Sequence, residues 1–279
     1  MNVSQVLVLD SGIGGLSIAK AIWNLGIINE LTYVADHAFF PYGEQPRAKL
    51  ATILSTLLQQ ALLVVAPTII VIACNTASIQ ALDQLRQQTS IPIVGVVPAI
   101  KPAAQMTTTG VIGVLATQNT VASPYLKQLI TAFAGHQTVI LKGSSRLVTI
   151  AEESMVAQKQ VAVDVVTQAL GQLFSKPQGQ YIDVLVLACT HFPVLRHVIE
   201  TVIPSLTSRP VAVIDSGEAV ARQVHRILQT PETIQALDFK FSMLTRIKGF
   251  AGHGPTGGMV PWRGKRGSNI PRPATLPRA

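Results

Sequence analysis

Thr68-Ile-Ile-Val-Ile-Ala-Cys74-Asn-Thr76 and Asp183-Val-Leu-Val-Leu-Ala-Cys189-Thr-His191 are two versions of one pattern. Each is a short apolar run rich in branched residues, the signature of a strand buried on both faces. Each stops at Ala-Cys and continues into small polar residues. These are the only two cysteines in 279 residues, and they stand 115 positions apart. A single cysteine at a strand end is often plain core. A matched pair, each followed by hydrogen-bonding side chains, points instead to two half-sites that face each other. Two cysteines behind an N-terminus that enters the strand Val6-Leu-Val-Leu-Asp10 directly, with no basic leader, argue against a disulfide scaffold. A cytoplasmic protein is expected.

The same punctuation recurs along the rest of the chain. Strand 6–10 ends at Asp10-Ser11-Gly12-Ile13-Gly14-Gly15, with a helix expected from Leu16. Strand 31–35 leads into Phe39-Phe40-Pro41-Tyr42-Gly43, a loop that brackets a tyrosine. Leu50, Ile53, Leu54, Leu57 and Leu58 give residues 47–66 the spacing of a helix with one apolar face. Strands 93–97, 111–116 and 211–214 follow, with helices between them. The alternation of strand and helix predicts an α/β fold with parallel, doubly wound sheets. Two sets of strand ends match: Asp10, Cys74 and Ile93 lie 64 and 19 apart, and Thr117, Cys189 and Val211 lie 72 and 22 apart. Two similar halves are the simplest explanation.

A hydrophobic fraction of 48%, with 13% charged and 5% aromatic residues, suits a compact core-rich enzyme. No apolar run reaches the length of a membrane helix. The net charge of +8 suggests nucleic acid, but its distribution does not. Eight of the 22 Lys/Arg and one of the 14 acids lie in 238–279, so that segment carries +7 and residues 1–237 only +1. From 249 onward the chain is dense in Gly, Pro and Arg without periodicity. The expectation is a disordered basic tail over 238–279.

The Gly-rich turn after Asp10 lacks the spacing of a dinucleotide fingerprint and the Lys-Ser/Thr of a phosphate loop. It still places a carboxylate, a hydroxyl and open backbone at a strand end, where open α/β sheets bind ligands. Asp10 also fits a helix N-cap. Glu152 and Glu153 sit side by side in a mildly apolar stretch, where acids are most often solvated. Two thiols on opposite sides of a cleft fit reversible inversion at a carbon, one removing a proton and the other supplying one to the opposite face. A thiol suits this because its pKa of ~8.5 is tunable by its surroundings. His191 is the candidate partner of Cys189, and Asp10 of Cys74. Ser11, Asn75, Thr76, Thr117, Thr120 and Thr190 offer donors for substrate carboxylates. A dithiol redox protein, and a ligand- or nucleic-acid-binding protein that has lost activity through its altered end, remain alternatives. No strand-end motif carries a lysine placed for a pyridoxal Schiff base, and no cofactor or metal is expected.

Asp10-Ser-Gly, Pro41-Tyr-Gly43, Cys74-Asn-Thr-Ala-Ser78, Cys189-Thr-His-Phe-Pro193 and Val213-Ile-Asp-Ser-Gly-Glu-Ala219 together resemble the glutamate racemases. These belong to the cofactor-independent aspartate/glutamate racemase superfamily. The likeness runs from about residue 5 to 230, and Cys-Thr-His favours glutamate over aspartate. It implies two pseudo-symmetric α/β domains with the active site between them: 1–97 plus 211–237, and 98–210. It implies Cys74 and Cys189 as the two proton carriers, supported by Asp10 and by His191, with Glu152 preferred to Glu153 near the second thiol. Substrate contacts carry over to Asp10, Ser11, Tyr42, Gly43, Asn75 and Thr76, and on the other side to Thr117, Thr120, Thr190 and His191. The substrate would be glutamate and the product D-glutamate for peptidoglycan. No specific nucleic acid or membrane partner is implied, and members are often homodimers. The Gly/Pro/Arg tail departs from the family's usual short closing strand.

Overall fold

A computed structural model describes residues 5–228, 240–246 and 259–261. Its strands are β1 Gln5–Asp10, β2 Glu30–Ala35, β3 Ile69–Ile72, β4 Ile93–Gly95, β5 Val111–Ala116, β6 Thr138–Gly143, β7 Val184–Ala188, β8 Ala212–Ile214, β9 Lys240–Arg246 and β10 Met259–Pro261. They form two sheets, ordered β10-β9-β2-β1-β3-β4 and β6-β5-β7-β8. Every pairing is parallel except β10 with β9. The order β2-β1-β3-β4 in one sheet matches β6-β5-β7-β8 in the other, so the two halves anticipated from the sequence share a topology.

The helices are α1 Leu16–Trp23, α2 Arg47–Leu62, α3 Asn75–Arg86, α4 Ile100–Met106, α5 Gln118–Val121, α6 Pro124–Phe133, α7 Ser145–Val156, α8 Val163–Phe174, α9 Arg196–Val202 and α10 Gly217–Leu228. They cover both faces of each sheet, which is why the strands read as continuous apolar runs. Along β1 the alternation divides the core: Leu7 and Leu9 pack under α2 and α3, while Val6 and Val8 pack under α1 and α10. In the second sheet Leu185 and Leu187 face α7, α8 and α9, and Val184 and Val186 face α4 and α6. Among the described residues no helix is long and apolar enough to cross a membrane.

Two boundaries differ from the sequence reading. The block 211–237 does not go whole to the first domain. Strand β8 pairs with β7, and the Ala212 N–H donates to the Asp183 carbonyl at 2.9 Å, so 212–214 closes the second sheet. The chain then returns, with the Ser216 hydroxyl donating to the Val97 carbonyl at 2.6 Å where the outgoing crossover passes. Among the described residues of that block, α10, packed on α1, belongs to the first domain. The strand-end repeat already paired 211–214 with 93–97; hydrogen bonding to β7 decides the matter.

The second correction concerns the tail. Lys240–Arg246 is a strand, parallel to β2 in unbroken register from Glu30↔Lys240 to Ala35↔Thr245. Phe241 packs on Trp23 with ring centroids 6.4 Å apart, Met243 joins the α1/α10 core and Leu244 the α2/α3 core. This short alternation satisfies the exposed edge of β2, so the atypical segment does not begin at 238. Residues 247–258 and 262–279, on which the expectation of a disordered tail also rests, lie outside the described residues.

Candidate active site

Register brings the key residues to one edge of each sheet. Leu9 pairs with Ile72, so Asp10 and Cys74 emerge together at the C-terminal ends of β1 and β3. Ala116 pairs with Ala188, so Thr117 and Cys189 do the same in the second sheet. The two edges meet. Thr76 of the first domain lies 3.0 Å from the hydroxyl of Thr117 and 3.3 Å from that of Thr120, which are themselves 3.0 Å apart. Asp10, Ser11, Asn75, Thr117, Thr120, Thr190 and His191 are all buried, and the two thiols are 8% and 7% exposed.

Asp10 is held rigidly. Its Oδ1 accepts the Ser11 N–H at 2.7 Å and its Oδ2 the Gly15 N–H at 2.6 Å. The Tyr33 hydroxyl donates to the Gly12 carbonyl at 2.8 Å and stands 3.3 Å from Oδ2. The N-cap of α1 is Gly15, so Asp10, which accepts that residue's N–H, is not itself the cap. Burial pushes its carboxyl up to about 6, against the charge of His191 and the two N–H bonds. Cys74 precedes α3, and burial with the nearby Asp10 charge raises its thiol well above the usual range. The N–H groups of Ala77 and Thr76 at the helix start, and the facing Cys189, act on it in opposite senses. The oxygen of the Asn75 side chain is buried with no hydrogen-bond partner among the described residues, a group available to a ligand.

The second thiol has a different setting. Cys189 Sγ is 3.9 Å from His191 Nδ1, and His191 Nε2 is 2.9 Å from Glu152 Oε2. Glu152 lies on α7, capped by the Ser144 hydroxyl, which accepts the Leu147 N–H at 3.3 Å. Burial opposes ionisation of Glu152. Bonds from His191 and His37, the His191 charge and the Ile13 N–H overcome it and hold the carboxyl down at about 2. Burial likewise opposes the His191 cation, but its bonds to Cys189 and Glu152 raise its pKa well above the usual histidine range. One thiol thus sits beside an acid with elevated pKa, the other beside an imidazolium paired with a carboxylate. Glu153 is exposed and pairs with Lys159 at 2.9 Å, whereas Glu152 is buried and bonds His191.

The glycines of the first turn act through what they lack. A Cβ on Gly12 would lie 2.7 Å from both Glu152 carboxylate oxygens, and one on Gly14 would lie 2.5 Å from His191 Cγ and Nδ1. The turn is a seat for the opposite domain's acid and imidazole. Gly43 passes similarly close to Thr117, with a Cβ position 2.9 Å from its Cβ. The Thr190 carbonyl accepts from Ser17 Oγ at 3.3 Å. Tyr42 is the sequence candidate whose side chain turns away: its hydroxyl donates to Asp36 Oδ2 at 2.6 Å, and the ring is core.

Sequence reasoning overlooked His37. Its Nε2 is 2.8 Å from Glu152 Oε1, across the domain boundary. The signal was available, because His37 follows β2, whose end is level with Asp10.

The Asp/Glu/Hydantoin racemase family matches residues 29–224. This chain belongs to that family. Among its relatives, glutamate racemase of Sphingopyxis alaskensis is 44% identical over 221 residues, covering 79% of this chain and 81% of that one. Glutamate racemase of Shewanella frigidimarina is 44% identical over 223 residues, covering 80% and 83%. The structure of Escherichia coli glutamate racemase, in complex with L-glutamate and the activator UDP-MurNAc-Ala, superposes with a TM-score of 0.77 at 33% identity, covering 91% of each chain. The two-domain α/β architecture is thus that of the glutamate racemases, and a racemase of this family is an isomerase that works without a cofactor.

Proposed function

We propose that the chain interconverts L- and D-glutamate by moving the α-proton between Cys74 and Cys189. The observation that carries this reading is the unequal equipment of two thiols at facing strand ends. Cys74 sits with Asp10, and Cys189 with His191 and Glu152. The identity of the relatives as glutamate racemases supports the substrate.

In one direction, the Cys74 thiol passes its proton toward Asp10 and the thiolate takes the Cα proton. Cys189 gives a proton to the opposite face, and His191 resupplies the sulfur. The reverse direction exchanges the roles. Each turnover moves one proton off the carbon and one onto it, so no oxidant or reductant is needed. An acid with raised pKa suits the accepting role and a stabilised imidazolium the supplying one. The Asn75 side chain and the hydroxyls of Ser11, Thr76, Thr117, Thr120 and Thr190 hold the substrate's polar groups, aided by the backbone of Tyr42 and Gly43. The D-glutamate formed would serve peptidoglycan.

The test is polarimetry with either enantiomer under reducing conditions, repeated in D2O. Optical rotation should decay toward zero and the product should carry deuterium at Cα. Cys74→Ser and Cys189→Ser should each lower the rate by at least ~10²-fold. Unchanged turnover in either variant would remove that sulfur from the mechanism.

A further inference from the structure

We propose that His37 is a positioning residue for the second thiol, a cross-domain donor that keeps Glu152 aimed at His191; this rests on the racemase reading above. Glu152 belongs to the second domain, yet the described groups that hold it come from both. His191 Nε2 takes Oε2 at 2.9 Å from its own domain. His37 Nε2 takes Oε1 at 2.8 Å, and the Ile13 N–H reaches Oε2 at 3.0 Å and Oε1 at 3.3 Å, both from the first domain. A carboxylate with one oxygen clamped cannot rotate about its terminal bond without breaking that clamp. The second oxygen therefore stays on the imidazole that serves Cys189.

His37 is itself fixed. Its Nδ1 stands 3.4 Å from the Thr245 hydroxyl, which donates to the Ala35 carbonyl at 3.1 Å. The hydroxyl can accept from Nδ1 or, rotated, donate to it. Phe40 fills the space between the two imidazoles, with ring centroids 6.4 Å from His37 and 5.6 Å from His191. The side chain of His37 is 28% exposed, against 10% for Glu152 and 3% for His191, so the clamp lies at the rim of the buried line. Separating the domains would break the His37 and Ile13 bonds together. The acid–base equipment of Cys189 is thus complete only when the cleft is closed, and strand β9, through Thr245, helps complete it.

Three substitutions separate a hydrogen-bond role from bulk packing. His37→Ala removes the donor, His37→Leu keeps comparable bulk without one, and His37→Gln keeps an N–H donor at similar reach. Turnover of glutamate should fall about tenfold or more in His37→Ala and His37→Leu, within the ~10²-fold that a misplacement of about 1 Å costs. His37→Gln should recover to within about threefold of wild type. Glu153→Gln, on the same helix but outside the site, should be unaffected. Should the Ala variant not fold, Gln against Leu decides. Full activity in His37→Leu, or a Gln variant as slow as Leu, overturns the proposal. A wild-type protein that does not racemise glutamate would instead sink the functional reading on which it rests.

Discussion

Gly14 passes beneath His191 so closely that a β-carbon on it would lie 2.5 Å from the imidazole Cγ and Nδ1. Backbone of the first domain is thus the floor on which the second domain's acid–base group rests. Gly14→Ala must displace that ring or hold the domains apart. We expect kcat/KM to fall about 10²-fold. Gly171→Ala, in α8 with nothing within 4 Å of the added carbon, should instead stabilise the fold by roughly 0.5–1 kcal/mol. Steady-state kinetics and thermal melts on both variants check the contrast.

The pH dependence should show Asp10. Its carboxyl is lifted to about 6 by burial, so it accepts a proton above that pH and is already protonated below it. The profile of kcat/KM, which reports the free enzyme, should therefore fall on the acid side with a midpoint near 6. In Asp10→Asn most of the rate should vanish and the residual activity should lose that limb. A limb unchanged in the variant would assign it to another group.

Glu152 sets a second pH effect, on stability. Its carboxyl is held at about 2 from an ordinary 4.5, so the folded state binds its proton less readily than the unfolded chain. The stabilisation this gives is complete above pH 4.5 and lost as the pH falls through 2. It amounts to at most about 3 kcal/mol. The gap in melting temperature between wild type and Glu152→Gln should shrink steadily from pH 5 toward 2, as followed by circular dichroism.

Tyr42→Phe separates two roles for one residue. The hydroxyl is committed to Asp36 at 2.6 Å. Its removal should cost about 1–3 kcal/mol of stability, while KM for glutamate changes less than about threefold. A large rise in KM would mean that the phenol itself meets the substrate.

Removing β9 should hurt. A chain ending at residue 237 exposes the edge of β2 and uncovers the surfaces against Phe241, Met243 and Leu244. A full apolar side chain contributes about 1.5–3 kcal/mol, so a loss of several kcal/mol is expected, with a markedly lower melting temperature. Equal stability of the two chains would show that β9 contributes nothing to the first domain.

Much of the site was legible because its signals are local. Val184–Ala188 and Ile69–Ile72 are apolar on both faces wherever they fold, and a thiol at the end of each marks the edge where ligands bind. The paired spacing of strand ends predicted the common topology for the same reason. His37 follows β2 at the level of Asp10, but its partner Glu152 is 115 residues away, and only the folded chain brings the two together.

Two parallel-sheet halves, the positions of Cys74 and Cys189 at strand ends, and the small polar residues around them are written in the chain, since these follow from local periodicity and turn chemistry. The pairing of Ala212–Ile214 with β7, the pairing of Lys240–Arg246 with β2, and the seating of Glu152 and His191 on Gly12 and Gly14 emerge from the folded chain. Those outcomes depend on which distant backbone edges and surfaces meet, and a short strand carries too little pattern of its own to name its partner.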